Sequence, residues 1–253
     1  MFNVLLRKEL LETFRSYRWL WLPVFFIGLA MLQPVSSFYM EDILEQFGGL
    51  PENTLIAIPT PTAGQVYGET LGQFTQVGTF ILVLAFMGSI SSERRSGETI
   101  LILSKPTNYY AYWFSKWVSA LGITTISYAL GSAAAIYYIG ILFEPLPAGE
   151  ILFSIFVYWV WLLFVVTTAL VWSTVSKRTS VAAAGALITL LLLNLSASMF
   201  GELTSWTPGI LPEAAADLQA DIVVAPPIII SVVLAAILIA ASVSYMKKTD
   251  WLL

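Results

Sequence analysis

Residues 91–116 read SSERRSGETILILSKPTNYYAYWFSK, and the fold turns on this stretch. It carries Arg94, Arg95, Lys105 and Lys116, and it separates two apolar runs, 71–90 and 117–142, that contain no Lys or Arg at all. Each run has the roughly 20 residues that an α-helix needs to cross the hydrocarbon core of a bilayer. Working outward, all twelve Lys and Arg residues fall in four segments: 7–18, 94–116, 177–178 and 247–248. Every stretch between them holds two apolar runs joined by a connection whose only charges are acidic. Bases stay on the cytoplasmic side of a membrane protein and fix its orientation. The spacing therefore predicts an all-α membrane protein of six spans, at about 19–38, 71–90, 117–142, 151–175, 181–200 and 223–246, with both termini cytoplasmic.

Composition agrees. The 253 residues are 58% hydrophobic and 11% charged, with a mean hydropathy of +0.81, which excludes an ordinary soluble domain. The cytoplasmic segments hold twelve bases and five acids, whereas the three outer connections hold eleven acids and no base. Aromatic residues near the span ends, among them Tyr17, Trp19, Trp113, Trp117 and Trp172, suit the membrane–water interface. With no Cys and no His, disulfides, thiol chemistry and imidazole catalysis are excluded. The first apolar run is too long for a cleaved signal peptide, and 1–253 reads as one membrane domain.

Phe2, Leu6, Leu10, Phe14 and Tyr17 recur at helical spacing, with Arg7, Lys8, Glu9, Glu12, Arg15 and Arg18 around the rest of the circumference. This pattern predicts an amphipathic helix over 1–18 lying in the cytoplasmic interface. In the first outer connection, 39–70, residues 39–47 could form a short helix ended by Gly48 and Gly49. The third, 201–222, is apolar enough to dip back into the outer leaflet, with a helical pattern over 213–221. Small residues at Ser127, Gly131 and Ala135, and again over 182–186, allow close helix packing.

The spans show no deep ionisable residue, only amides and hydroxyls such as Gln33, Gln76, Thr125, Thr167 and Asn194. Ion-coupled carriers need such a group, so a secondary carrier is disfavoured. Glu69 is the marginal case, and it reads as a water-exposed loop carboxylate. No phosphate-cradling Gly-x-x-x-x-Gly-Lys-Ser/Thr loop is present. Uphill work by this chain would draw its energy from another polypeptide. Within 91–116, Gly97 permits a sharp turn, Glu98 to Leu103 suffices for a short helix, and Pro106 ends it. The cluster Ile100-Leu101-Ile102-Leu103 needs a surface to bury against.

Glu93-Arg94-Arg95-x-Gly97, the Leu-rich helix, Ser104-x-Pro106 and Lys116 resemble the intracellular motif of ABC-2 type transporter permeases. Lys8-Glu9-Leu10 with Arg15-Ser16, residues 176–179, and the ending 245–250 extend the resemblance along the chain. The sequence departs from the family pattern after Gly97, where Glu98 and Ile100 stand in place of Thr and Glu. The resemblance implies the membrane subunit of an ATP-driven exporter, itself without cofactor and not an enzyme, with ATP and Mg held on a separate cytoplasmic ATPase. It implies a paired second permease subunit, a coupling helix between spans 2 and 3, and a re-entrant outer element between spans 5 and 6. It also implies that Glu93, Arg94, Arg95, Gly97, Glu98 and Leu101 lie at or near the ATPase contact. Membrane lipids are partners, and nucleic acid is not. The long first outer loop would suit an extracytoplasmic partner. The alternatives are a stand-alone channel or carrier, or a structural or sensory membrane subunit.

Overall fold

The computed structural model describes residues 2–40, 61–104, 108–217 and 223–249. The expected helix at 39–47, the stop at Pro106 and the last residues of the 213–221 pattern lie wholly or largely outside them. The described residues are helical, with no strand, and six helices are long and apolar enough to cross a membrane.

Helix α1, Phe2–Arg15, precedes span 1, which is α2, Arg18–Phe38. Between them Tyr17 takes a left-handed conformation, φ 56°, which breaks the two apart. Span 2 is composite: α3, Ala63–Gln73, then a π-helical turn, Phe74–Gly78, then α4, Thr79–Phe86. A capping box of Thr62 and Gln65 starts it, so the helix begins upstream of the apolar run and carries Glu69. Glu69 is thus a helix residue rather than a loop carboxylate. It remains exposed and accepts a hydrogen bond from Gln33 of span 1 at 2.6 Å. Two short helices follow, α5, Ser91–Ser96, and α6, Glu98–Leu103. Spans 3 to 6 are α7, Tyr109–Leu142; α8, Ala148–Val175; α9, Thr179–Phe200; and α11, Ala225–Lys248. Between spans 5 and 6 lie two 3-10 turns and α10, Leu211–Ala216.

Helices gain nothing by hiding apolar surface from lipid, so shape fit and polar bonds between spans must hold the bundle. Phe26, Phe74, Tyr128 and Tyr158 form a buried chain of ring contacts through spans 1 to 4, with successive centroids 5.2, 6.1 and 5.2 Å apart. Ser127, Gly131 and Ala135 are buried on the face of span 3 that meets Phe26. A series of tryptophan–threonine bonds supplies the polar part. Trp113 donates to Thr174 at 3.1 Å, Trp117 to Thr167 at 2.9 Å, Trp159 to Thr125 at 2.9 Å and Trp172 to Thr189 at 3.1 Å. The first three join spans 3 and 4, and the last joins spans 4 and 5. Trp113, Trp117 and Trp172 therefore bond between helices, a role that their position near the span ends did not reveal. Each threonine in turn donates to a carbonyl four residues back in its own helix, so no hydroxyl is left over. Trp117→Phe should cost about 1 kcal/mol, read as a lowered unfolding midpoint in detergent, with Thr167→Val non-additive to it.

Helix α1 and the last turn of span 6 lie at the same end of the bundle. Lys8 of α1 pairs with Glu93, and Lys247 of span 6 lies 4.7 Å from the centre of the Tyr110 ring at the start of span 3. Segment 201–217 closes the other end. Ile210, Leu211 and Ala215 are buried there, and the Ala215 carbonyl accepts from Ser154 of span 4 at 2.5 Å. The expected helix over 213–221 stops at Ala216, with Asp217 extended.

Candidate functional site

The base-bearing end is organised around side chains buried by four helices. On α1, Leu5, Glu9 and Thr13 share a face by four-residue spacing, and that face turns inward. Glu9 and Thr13 are buried, while Val4, Leu10, Leu11 and Phe14 are exposed on other sides. The amphipathic reading of α1 is therefore incomplete. Its apolar stripe faces outward, while Glu9 and, in part, Lys8 face the protein. Thr13 meets Ser119 of span 3 at 3.2 Å, and Glu9 accepts from Lys116 at 2.9 Å.

Lys116 sits eight residues inside the helix that carries span 3, and its side chain is only 1% exposed. A lone ammonium there would be untenable, since the effective penalty is several kcal/mol. It is held by Glu9, by Glu93 at 2.8 Å and by the face of Tyr112 one turn earlier, 5.2 Å from the ring centre. Glu93, on α5, is also buried and accepts from the Tyr112 hydroxyl at 2.5 Å. Lys8 completes the group, bonding Glu93 and lying 3.3 Å from Glu9, 3.7 Å from Glu12 and 3.5 Å from Glu98. Two ammonium groups thus face two buried carboxylates, with Glu12 and Glu98 at the rim.

Burial and the Lys116 charge would each lower the Lys8 pKa. The bond to Glu93 and the carboxylates of Glu9 and Glu93 outweigh them and hold it above its ordinary 10.5. A raised lysine contributes stability fully below pH 10.5 and loses it only as pH climbs through the folded value. Lys8 is therefore a cation throughout the physiological range. Glu9, Glu12 and Glu93 have the chemistry and spacing to hold a divalent ion. The Lys8 ammonium, however, already contacts all three carboxylates, so the acids are neutralised from within the chain.

Above this group, α5 is fastened to span 4. The hydroxyl of Ser173 accepts from the backbone N–H groups of Ile90 and Ser91 at 3.0 and 3.1 Å, satisfying donors at a helix start. Gly97 separates α5 from α6 at φ 78°, a left-handed conformation that a β-branched residue adopts only under strain. Helix α6 turns Thr99 and Leu103 inward and leaves Ile100 41% and Leu101 70% exposed.

Of the six residues singled out from the sequence, Arg95, Glu98 and Leu101 face outward, Arg94 is half-buried, and Gly97 is the turn. Glu93 points into the ionic group. Sequence reasoning treated Lys8, Glu9 and Lys116 as parts of a motif and did not bring them together. The one signal available was Tyr112 and Lys116 a turn apart on the helix that enters span 3.

Towards the other end, a cleft of 770 Å³ opens between the π-turn of span 2, span 5 and the segment 209–216. Its walls are largely apolar, Phe80, Leu190 and Leu191 among them, with Thr75, Gln76 and Asn194 as polar points and Glu213 as its one charged group. π-turns often occur at functional sites, and this volume suits a small organic molecule.

Comparison with known proteins bears on this arrangement. The family model described as ABC-2 family transporter protein matches residues 3–208. The chain is also similar to a protein of Bacillus subtilis (strain 168) described as "Uncharacterized transmembrane protein YxlG", with 33% identity over 204 residues, covering 81% of this chain and 79% of that protein.

Proposed function

Because the chain belongs to the ABC-2 family of transporter proteins, we propose that it is the permease subunit of an ATP-driven exporter, driven by a separate cytoplasmic ATPase that docks on α6. The observation that carries this reading is the asymmetry of α6. Its inner face is packed, whereas Ile100 and Leu101 stand exposed beside Glu98 and Arg95 at the base-rich end. Isolated surface leucines are ordinary. Two adjacent apolar side chains on a six-residue helix, backed by the buried Thr99 and Leu103, make a compact plug for a groove on a partner. The four basic segments favour a cytoplasmic side for this end, where ATP is available.

In this reading two permease subunits pair across the membrane. The cleft between spans 2 and 5 contributes to the path, and its apolar walls suit a substrate with hydrocarbon or aromatic parts. The chain itself performs no catalysis. Its work is to convert motion at α6 into a change of access at the cleft.

The test is purification of the tagged full chain with its membrane from cells, followed by assay for an associated nucleotide-binding subunit. An ATPase subunit should co-purify with the wild-type chain, and Leu101→Arg should release it while leaving insertion intact. A stable complex without any nucleotide-binding chain would overturn the reading. Gly97→Val should act differently. No atom blocks a Cβ at Gly97, so the cost lies in the backbone, on the order of 1–2 kcal/mol. We expect the Gly97→Val protein to insert and bind its ATPase, but to lose most of the ATP turnover that depends on the permease. Full turnover in that variant would argue against α6 as the lever.

A further inference from the structure

We propose that Lys8 and Lys116, with Glu9 and Glu93, form a rigid joint that makes α1 and the start of span 3 move as one body with the docked helix pair. This rests on the reading of α6 as the ATPase contact. The four groups are positioning residues for the coupling stroke, since none would touch substrate or nucleotide.

The argument is geometric. A displacement pressed on Leu101 reaches α5 through Gly97, a single residue, and leaves α5 by two routes. One is the pair of backbone bonds to Ser173 of span 4. The other is Glu93, whose carboxylate is shared by Lys8 of α1, and by Lys116 and Tyr112 of span 3. Lys8 adds a second link, to Glu98 on α6 itself. Each ammonium therefore joins three helices at once. Apolar contacts would let these helices slide past one another with little penalty. Hydrogen-bonded charges removed from water hold direction as well as distance, because any slip leaves a buried charge unpaired. Helix α1 also meets span 3 through Thr13–Ser119 and the Phe2–Phe114 rings and stacks Phe14 on Trp19 of span 1, but none of these ties it to α5 or α6. Lying against the bilayer, α1 would carry the stroke to the membrane surface beside span 1.

The chain has no cysteine, so single thiol labels are unambiguous. An environment-sensitive fluorophore would be placed on Leu10→Cys in α1 or on Ser104→Cys after α6, in the full permease–ATPase complex in lipid nanodiscs. Mg–ATP or a non-hydrolysable analogue would then be added. In the wild-type background both labels should shift their emission. In Lys8→Met the Ser104 response should persist and the Leu10 response should fall well below it, since only Lys116 then links Glu9 to Glu93, and Lys8→Arg should restore it. A merely structural role for Lys8 would lower the unfolding midpoint without separating the two labels. Equal responses of both labels in Lys8→Met would overturn the joint. So would a wild-type protein in which Ser104 responds and Leu10 does not, a comparison that needs no charge variant to fold. If no ATPase remains with the wild-type chain, the docking reading fails first and the joint falls with it.

Discussion

Lys116→Met should lose about 3–5 kcal/mol of stability, the range for removing one partner of a buried ion pair. Methionine is unbranched like lysine and only one heavy atom shorter, so it keeps most of the packing between Glu9, Glu93 and the Tyr112 ring, and the loss is chiefly electrostatic. What remains is a buried Glu9 and a buried Glu93 with only Lys8 between them, and Lys8 is already shared with Glu12 and Glu98. Two carboxylates cannot both stay ionised there without a large penalty, so one takes up a proton or α1 detaches. The measurement is the unfolding midpoint in detergent, together with protease access to α1. Lys116→Met combined with Glu9→Gln removes one charge of each sign and should recover part of the loss, since residues in one ionic network are not additive. A Lys116→Met protein as stable as wild type, with α1 still protected, would show that the group is looser than its distances indicate.

Gly209→Ala is expected to be nearly as damaging for an unrelated reason. A Cβ at Gly209 would overlap the Leu193 carbonyl oxygen and press on the Asn194 nitrogen. Both obstacles are backbone atoms of span 5, which no rotamer change can move aside. Overpacking of this kind usually costs about 1–3 kcal/mol and can exceed that where the backbone must shift. Relief would come by lifting 208–216 from span 5, which would open one wall of the cleft. A lower unfolding midpoint and faster proteolysis within 201–217 are the expected signs. Gly122→Ala serves as the control. It stands in the interior of the span 3 helix with no atom within 4 Å of an added Cβ, and should be neutral or stabilise by up to about 1 kcal/mol.

The six spans were legible because the bilayer imposes a length and the bases impose a side, and both constraints are written in composition. Helix α6 was legible too, since Gly97 and the apolar run after it leave few alternatives. The inner face of α1 was harder to see. Glu9 lies between Lys8 and Leu10, and periodicity alone assigns such a charge to water; only the partner at Lys116, far along the chain, makes burial possible. The tryptophan–threonine bonds were hidden for a related reason. An indole near a span end suits the interface equally well whether it faces headgroups or a threonine on the next helix, and the choice depends on how the spans rotate about their axes. That rotation is set by contacts such as Phe26 against Gly131, which single-chain patterning does not encode. The cleft was invisible from sequence because its walls come from spans 2 and 5 and the segment 209–216, which are far apart along the chain.

The sequence separations of the polar bonds also order the birth of the protein. The tryptophan–threonine bonds close over 17 to 61 residues, and those between spans 3 and 4 can form once span 4 leaves the ribosome. Lys8 waits 85 residues for Glu93, and Glu9 waits 107 for Lys116. At roughly 5–20 residues per second, the latter interval lasts on the order of 5–20 s. During that time the inward face of α1 carries charges whose buried partners are missing, which water at the headgroups can solvate and hydrocarbon cannot. The nascent chain is therefore obliged to park α1 at the membrane surface and to seat it only after the third span has arrived.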